Sequence, residues 1–155
     1  MKKLCYEVIL ATANRSLVTA ESLTGGGIGA ALTAIPGASR VYKGGVISYT
    51  DVVKCKILGV SQEVLSQFGA VSAPVAKAMA EGARRVLEAD IAVSVTGLAG
   101  PEGDEYGNPV GTVFIGYCDE QRTEVRQFLF AGGREEVREQ TIEAALRLVL
   151  EFTVT

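Results

Sequence analysis

The chain has 155 residues, of which 48% are hydrophobic and 21% are charged, and its formal net charge is −3. A chain of this size and balance is typical of one globular domain with a substantial core, here expected over residues 1–155. The acidic balance, with no basic cluster beyond pairs such as Arg84–Arg85, argues against nucleic-acid binding. Neither a signal peptide nor an apolar run long enough to cross a membrane is visible, so we expect a cytoplasmic protein without a membrane partner.

The absence of histidine and the small number of cysteines restrict the possible chemistry further. Histidine is absent, which excludes Ser-His-Asp triads, Cys-His dyads and histidine-ligated zinc. A hydrolase of this sequence therefore needs Lys, Tyr, Asp or Glu as its base. The three scattered cysteines, Cys5, Cys55 and Cys118, form neither a disulfide pattern nor a metal-ligand pattern, so we expect reduced thiols and no metal.

Helical and strand patterns alternate along the first two thirds of the chain. In chain order, we expect helices over residues 3–13, 26–34, 51–58, from 61 onward and over 72–88, with strands at 16–20, 45–49 and 90–96 between them. Two consecutive strands, 110–117 and 124–130, then form a hairpin before a last helix over 135–152. This order predicts an α/β fold, a three-layer α/β/α domain with a mixed, mostly parallel sheet.

The first glycine-rich turn, Thr19–Gly27, lies between a strand and a helix. Such a turn presents side chains at the carboxyl edge of the sheet, where open α/β sheets bind ligands. Its free amides can also stabilise an oxyanion, which makes Ser22 a candidate nucleophile. The same position is equally typical of a helix cap, by Ser22 or by Thr24.

A tyrosine and a lysine follow the next strand. Tyr49 stands at the strand end and Lys54 about one turn into the following helix. Because histidine is absent, a lysine with a pKa lowered by burial is a candidate base. Both residues are also typical of a strand edge and a solvated helix face, and Lys56 is a rival that points to another face.

Two further features are typical of anion binding. The segment Thr96–Gly103 forms a glycine-rich loop after a buried strand, and residues 108–112 continue it. Its amides could hold a phosphate, although a plain surface loop has the same composition. Arg134 and Arg138 share one face at the start of the last helix, where they could clamp an anion or pair with neighbouring glutamates or a partner chain.

Four segments taken together resemble the CinA C-terminal domain family. They are TAESLTGG (19–26), GGVISYTDVVKCKILGV (44–60), GAVSAPVAKAMAEGA (69–83) and SVTGLAGPEG with NPVGTV (94–113). The resemblance covers nearly the whole chain, from about Leu17 to Arg147. The family's characterised members include nicotinamide-mononucleotide (NMN) amidohydrolases, which belong to pyridine nucleotide salvage.

The resemblance implies a serine amidohydrolase with a Ser-Tyr-Lys arrangement and no cofactor. The family's AES motif falls on residues 20–22 and makes Ser22 the nucleophile, and its YSNEAK-type motif falls on residues 49–54 and makes Tyr49 and Lys54 the other two members. Asp51 and Val52 depart from that motif, and Leu23 replaces the usual cysteine. Relatives of this kind also imply a homodimer or higher homo-oligomer.

We expect the substrate, a small-molecule nucleotide, to contact the glycine-rich loops and the arginine pair. The expected contacts are Glu21, Leu23, Thr24, Gly25, Gly26, Gly45, Thr96, Gly97, Gly100, Gly111, Thr112, Arg134 and Arg138. Two alternatives stay open at this point. The domain could be a non-catalytic nucleotide-binding or phosphate-binding module, or an amidase for another carboxamide.

Overall fold

Helices and strands alternate as the sequence patterns predict. The computed structural model describes residues 1–154, so the last residue of the domain predicted over 1–155 lies outside the described residues. The strands are β1 (Leu17–Glu21), β2 (Tyr42–Ile47), β3 (Ile91–Gly97), β4 (Thr112–Cys118) and β5 (Thr123–Leu129). The helices are α1 (Lys2–Ala11), α2 (Gly27–Thr33), α3 (Asp51–Lys56), α4 (Gln62–Phe68), α5 (Ala73–Val86) and α6 (Arg134–Thr153).

The five strands form one mixed sheet in the order β2-β1-β3-β4-β5. Strand β1 pairs in parallel with both β2 and β3, while β4 pairs antiparallel with β3 and with β5. Strand β4 therefore runs opposite to the other four, and the prediction of a mixed, mostly parallel sheet is confirmed. The carboxyl ends of β1, β2 and β3 lie side by side at one edge, which is where ligands of open α/β sheets bind.

Alternate residues of the central strands face two different helical layers. Leu17 and Val93 pack with residues of α1, α2 and α6, whereas Val18 and Ala92 pack with residues of α4 and α5. Strand β3 is buried on both faces as far as Thr96. The three-layer α/β/α prediction is confirmed by these two clusters.

Hydroxyl side chains begin the helices on the second face. Thr50 accepts a hydrogen bond from the Val53 N–H at the start of α3, and Ser72 does the same from the Val75 N–H at the start of α5.

Strand β4 begins two residues later than predicted, because Gly111 has a φ of +94°, which an extended strand does not accommodate.

Strand β2 begins three residues earlier than predicted. It pairs from Tyr42 onward, where Tyr42 lies opposite Leu17 of β1. Because β2 is an edge strand, its side chains alternate between half-buried and exposed, and Lys43 points to solvent. This alternation hides the strand from a search for continuous apolar runs.

Among the described residues, none of the helices combines the length and the apolar composition that a membrane crossing needs.

Candidate active site

A cavity of about 300 Å³ opens at the carboxyl edge of the sheet. It lies where the segments that follow β1, β2 and β3 meet. Eight of the residues predicted to act on or bind a substrate line it: Ser22, Leu23, Tyr49, Lys54, Thr96, Gly97, Gly100 and Arg134. The structure therefore brings the predicted nucleophile, the predicted base and part of the predicted loop into one site.

Ser22 is the first residue after β1 and is held by backbone hydrogen bonds on both sides. Its N–H donates to the Val95 carbonyl of β3 at 3.1 Å, and its own carbonyl accepts from the Gly25 N–H at 3.1 Å. The turn then passes through Gly25 and Gly26, whose φ angles of +57° and +97° lie in the left-handed region that glycine favours. Gly26, the residue before α2, has no side chain, and the first-turn N–H groups of Ile28 and Gly29 bond the Glu21 carboxylate, so the alternative of a capping role for Ser22 or Thr24 is wrong.

Lys54 lies on α3, the helix that follows β2, and its side chain reaches Ser22. Its side chain is 1% exposed, and its Nζ donates to Ser22 Oγ at 3.0 Å and to the Ser48 carbonyl at 2.7 Å. Burial lowers the pKa of the Lys54 ammonium, and the nearby Asp51 carboxylate works in the opposite direction. A lysine in this position holds more of its neutral form at a given pH than a solvated one. The rival Lys56 is exposed.

Tyr49 and Arg134 meet at the mouth of the cavity. Tyr49 is 58% exposed, and its hydroxyl accepts a hydrogen bond from Arg134 Nη2 at 3.2 Å. Arg134 Nη1 also donates to the Gly100 carbonyl at 2.6 Å. The guanidinium thus links the segment after β2 to the loop after β3, while Lys54 contacts Ser22 directly.

Glu21 lies beneath the turn and does not line the cavity. Its carboxylate is 2% exposed and accepts hydrogen bonds from the Thr24 hydroxyl at 2.6 Å and from the N–H groups of Ile28 and Gly29 at 2.8 and 3.0 Å. Glu21 and Thr24 therefore stabilise the start of α2 and the turn above it. We predicted both residues as substrate contacts. In the structure, their side-chain oxygens form hydrogen bonds within the protein.

Three more predicted contacts have a structural explanation. A Cβ on Gly45 would lie 2.2 Å from Thr19 Oγ1, and a Cβ on Gly111 would lie 2.1 Å from the Phe130 carbonyl oxygen. Both glycines therefore allow close chain packing. The Thr112 hydroxyl donates to the Pro109 carbonyl at 2.8 Å. None of these three residues lines the cavity.

Arg138 does not line the cavity and contacts the turn that follows Ser22. Its Nε donates to the Leu23 carbonyl at 2.9 Å, and its Nη2 donates to the Thr24 carbonyl at 3.2 Å. Among the ion pairs of residues 1–154, neither Arg138 nor Arg134 pairs with a glutamate. The two arginines that one helix face suggested as a clamp thus have different surroundings, since Arg134 reaches the cavity and Arg138 reaches the turn.

Several cavity residues were not predicted as individual contacts. They are Asp51, Ala70, Val71, Leu98, Ala99 and Glu102, of which the last three belong to the loop predicted to hold a phosphate through its amides. Small and apolar side chains carry no chemical signal in a sequence, and Glu102 resembles any acid of a surface loop. The Thr96 hydroxyl donates to the Ala70 carbonyl at 2.8 Å and so joins two of these walls. Within residues 1–154, no three acidic or sulfur side chains lie close enough together to hold a metal ion.

Comparison with known proteins gives a consistent result. The model of the CinA C-terminal domain matches residues 3–153. A CinA-like protein of Endomicrobium trichonymphae is 48% identical over 130 residues, which are 84% of this chain and 30% of that protein. A putative competence-damage inducible protein of Desulforamulus reducens is 47% identical over 144 residues, 93% of this chain and 35% of that protein. The chain thus spans about a third of the length of these curated relatives.

Solved structures of similar length share the fold. The crystal structure of a CinA superfamily protein from Klebsiella pneumoniae has a TM-score of 0.96 and 34% identity, and covers 99% of this chain and 97% of its own. The competence/damage inducible protein CihA from Agrobacterium tumefaciens has a TM-score of 0.94 and 37% identity, with coverage of 99% and 95%.

Proposed function

This chain belongs to the CinA C-terminal domain family, and from that premise we propose that it is a hydrolase that deamidates NMN to nicotinic acid mononucleotide and ammonia. The observation that carries the proposal is the contact between Lys54 Nζ and Ser22 Oγ, 3.0 Å long and buried beside a cavity. A buried lysine beside a serine hydroxyl can act as the general base that removes the hydroxyl's proton.

The reaction begins with neutral Lys54, which takes the proton of Ser22 as Oγ attacks the carboxamide carbon of the nicotinamide ring. The C–N bond of the resulting tetrahedral intermediate breaks, and the lysine returns its proton to the leaving nitrogen, so ammonia departs. Water then attacks the Ser22 ester with Lys54 as base, which releases the carboxylic acid and restores the serine. Tyr49 lines the same cavity, and its part in these proton transfers remains a prediction.

The oxyanion of the intermediate needs a donor close to Ser22. In sharp strand-to-helix turns that carry a nucleophile, the N–H of the following residue serves this purpose. That residue is Leu23, which lines the cavity, and among the hydrogen bonds of residues 1–154 none uses its N–H. We propose Leu23 N–H as the first oxyanion donor.

The charges around the cavity suit a nucleotide with a cationic ring. Asp51 and Glu102 contribute carboxylates to the lining, which favour the positive pyridinium. Arg134 contributes a cationic donor at the mouth, and none of the hydrogen bonds of residues 1–154 uses the N–H groups of the lining residues Ala99 and Gly100. We propose that the ring enters toward Ser22 and that the 5′-phosphate stays at the mouth beside Arg134.

Ammonia release tests the proposal. With NMN as substrate, Ser22→Ala and Lys54→Met should each lower kcat by at least about 10³-fold, since each variant lacks a group that must form or break a bond. Lys56→Ala is the matched control and should keep wild-type turnover, because its ammonium is solvated on the same helix. If Ser22→Ala retains turnover, or if Lys56→Ala is the damaging change, the assignment is wrong.

The choice of substrate separates the alternatives. Ammonia release from NMN, nicotinamide riboside and nicotinamide should be measured side by side with the wild-type protein. We expect NMN to give the highest kcat/KM. Preference for one of the others would identify an amidase for another carboxamide, and no release from any of them would favour a non-catalytic binding module. A homo-oligomeric state and a cytoplasmic location belong to the same proposal, and sedimentation of the purified protein tests the first.

A further inference from the structure

We propose that Arg138 is a positioning residue that holds the Ser22 turn in its reactive shape, instead of a contact for the substrate phosphate. The inference rests on the proposed function of Ser22, and it deepens that function by assigning a role to the last helix. It begins from the two hydrogen bonds that Arg138 donates to consecutive carbonyls, those of Leu23 and Thr24.

A guanidinium that bonds two neighbouring carbonyls fixes two peptide planes at once. The peptide bonds after Leu23 and Thr24 are trans, so in each planar unit the N–H points away from the carbonyl. With both carbonyls directed at Arg138, the N–H groups of Thr24 and Gly25 point to the opposite side of the turn. Charge-assisted hydrogen bonds of this kind are about twice as strong as neutral ones.

The orientation of Gly25 passes directly to the nucleophile. The Gly25 N–H donates to the Ser22 carbonyl at 3.1 Å. Because the Ser22 carbonyl and the Leu23 N–H share one peptide plane, this bond also sets the direction of the Leu23 N–H, which is the proposed oxyanion donor. A chain of three fixed peptide planes therefore connects Arg138 to the atoms that react.

The rest of α6 is packed against the same turn. Ile142 lies one turn after Arg138, and a Cβ on Gly27 would be 2.6 Å from its Cδ1. The half-buried guanidinium lies 3.8 Å from the position of a Cβ on Gly25. Arg138 is thus seated by the helix from one side and by the turn from the other, and it is absent from the cavity lining that contains Arg134.

Arg138→Met tests the role, because it keeps an unbranched side chain and removes both hydrogen bonds. We expect kcat to fall by about 10- to 100-fold, as it does when a reacting group is displaced by a fraction of an ångström to 1 Å. Arg147→Met is the matched control. Arg147 lies on the same helix, exposed and paired with Glu143 at 2.8 Å, and its loss should leave kcat and KM unchanged.

Two substrates distinguish positioning from phosphate binding. For Arg138→Met, kcat should fall by the same factor with NMN and with nicotinamide riboside, which lacks the phosphate, while KM stays unchanged. A phosphate contact would instead raise KM for NMN and leave nicotinamide riboside unaffected. That result, or wild-type kinetics with both substrates, would overturn the proposal.

Amide hydrogen exchange provides a measurement that needs no turnover. In Arg138→Met the segment 22–26 should exchange at least about tenfold faster than in the wild-type protein, since two bonds that close the turn are gone. In Arg147→Met it should not change. If the wild-type protein releases no ammonia from either substrate, the proposed deamidation fails, and exchange alone decides on Arg138: unchanged exchange refutes the positioning role.

Arg138→Lys covers the case in which Arg138→Met does not fold. A lysine lacks the planar fork that bonds two carbonyls together, so a smaller loss of kcat and a smaller rise in exchange should appear, in the same direction. Wild-type kinetics combined with wild-type exchange in Arg138→Lys would also contradict the proposal.

Discussion

The base of the proposed reaction is a lysine that the fold holds against its solvation preference. Burial lowers the pKa of Lys54, while Asp51, three residues earlier on α3, raises it. The two effects oppose each other at a group that must lose a proton to act. Asp51 thus influences the pH at which the site works, in addition to facing the cavity.

Asp51→Asn should move the acidic limb of the pH–rate profile to lower pH. The neutral form of Lys54 increases as pH rises through its pKa, so kcat/KM rises with pH over that range. Removal of the Asp51 charge leaves burial unopposed and lowers the pKa further, which gives the variant the higher relative rate at the acidic end. The measurement is kcat/KM for NMN as a function of pH.

Glu63→Gln is the control for the pH profile. Glu63 occupies the first turn of the neighbouring helix α4 and is exposed. Its removal changes the net charge of the protein by the same amount without touching the cavity. A limb that moves equally in both variants, or one that moves to higher pH in Asp51→Asn, would contradict the role given to Asp51.

The loop after β3 is tied to the segment before α5 by one amide. Asn108 Nδ2 donates to the Val71 carbonyl at 3.1 Å and to Asp104 Oδ2 at 2.8 Å. Asp104 Oδ1 accepts from the Asn108 N–H at 2.9 Å. Since Val71 and the loop residues Leu98 and Gly100 all line the cavity, this network holds two parts of its lining together.

Asn108→Ala should raise KM for NMN by about fivefold, which corresponds to the loss of about one hydrogen bond's net contribution of ~1 kcal/mol. kcat should change less, because Ser22 and Lys54 lie on other segments. Glu105→Ala, an exposed position of the same loop, should leave both constants unchanged. Steady-state kinetics on the two variants checks the expectation, and an unchanged KM in Asn108→Ala would refute it.

The helices and strands were predictable because each carries a periodic apolar pattern or a cap. Strand β3 is a continuous apolar run, and α5 begins with Ser72 as cap and Pro74 in its first turn. Periodicity does not say which strands pair, so the position of β1 between β2 and β3 became visible only in the structure. The edge strand β2, half-exposed along its length, begins three residues before the position that the pattern predicts.

The candidate site was also predictable only in part, because its contacts depend on which strands pair. Ser22 and Lys54 are 32 residues apart, and their contact requires β1 and β2 to be parallel neighbours, which spacing does not encode. The resemblance to a family supplied the pair. The sequence did not predict the hydrogen bonds of Arg138 and Glu21, because bonds to backbone carbonyls and N–H groups leave no trace in residue type. Both residues were predicted to touch the substrate.

The two larger apolar clusters of the described residues share strands β1 and β3. Leu17 and Val18 are consecutive in β1 and belong to different clusters, as do Ala92 and Val93 in β3. Loss of order in either strand therefore exposes apolar surface on both faces of the sheet. We expect the whole described chain to unfold in one cooperative transition.

Leu32→Ala in α2 and Met79→Ala in α5 test this expectation, one from each cluster. Each side chain is fully buried, so each variant should lose about 2–5 kcal/mol of unfolding free energy. Urea unfolding should give the same midpoint by far-ultraviolet circular dichroism and by the near-ultraviolet signal of the aromatic residues, which include the buried Tyr117, in both variants.

Leu129→Ala, at an exposed position of β5, should leave the midpoint nearly unchanged. Midpoints that differ between the two signals, in either core variant, would mean that the faces of the sheet unfold separately.

The order of residues along the chain determines the order in which parts of the candidate site are synthesised. Ser22 follows β1 and Lys54 lies on α3, whereas Arg138 lies on α6, after all five strands. On a ribosome the proposed nucleophile and base therefore emerge before the arginine that binds the Ser22 turn. Under our proposal, a nascent chain would carry Ser22 and Lys54 with a loose turn until α6 is synthesised and Arg138 binds the turn.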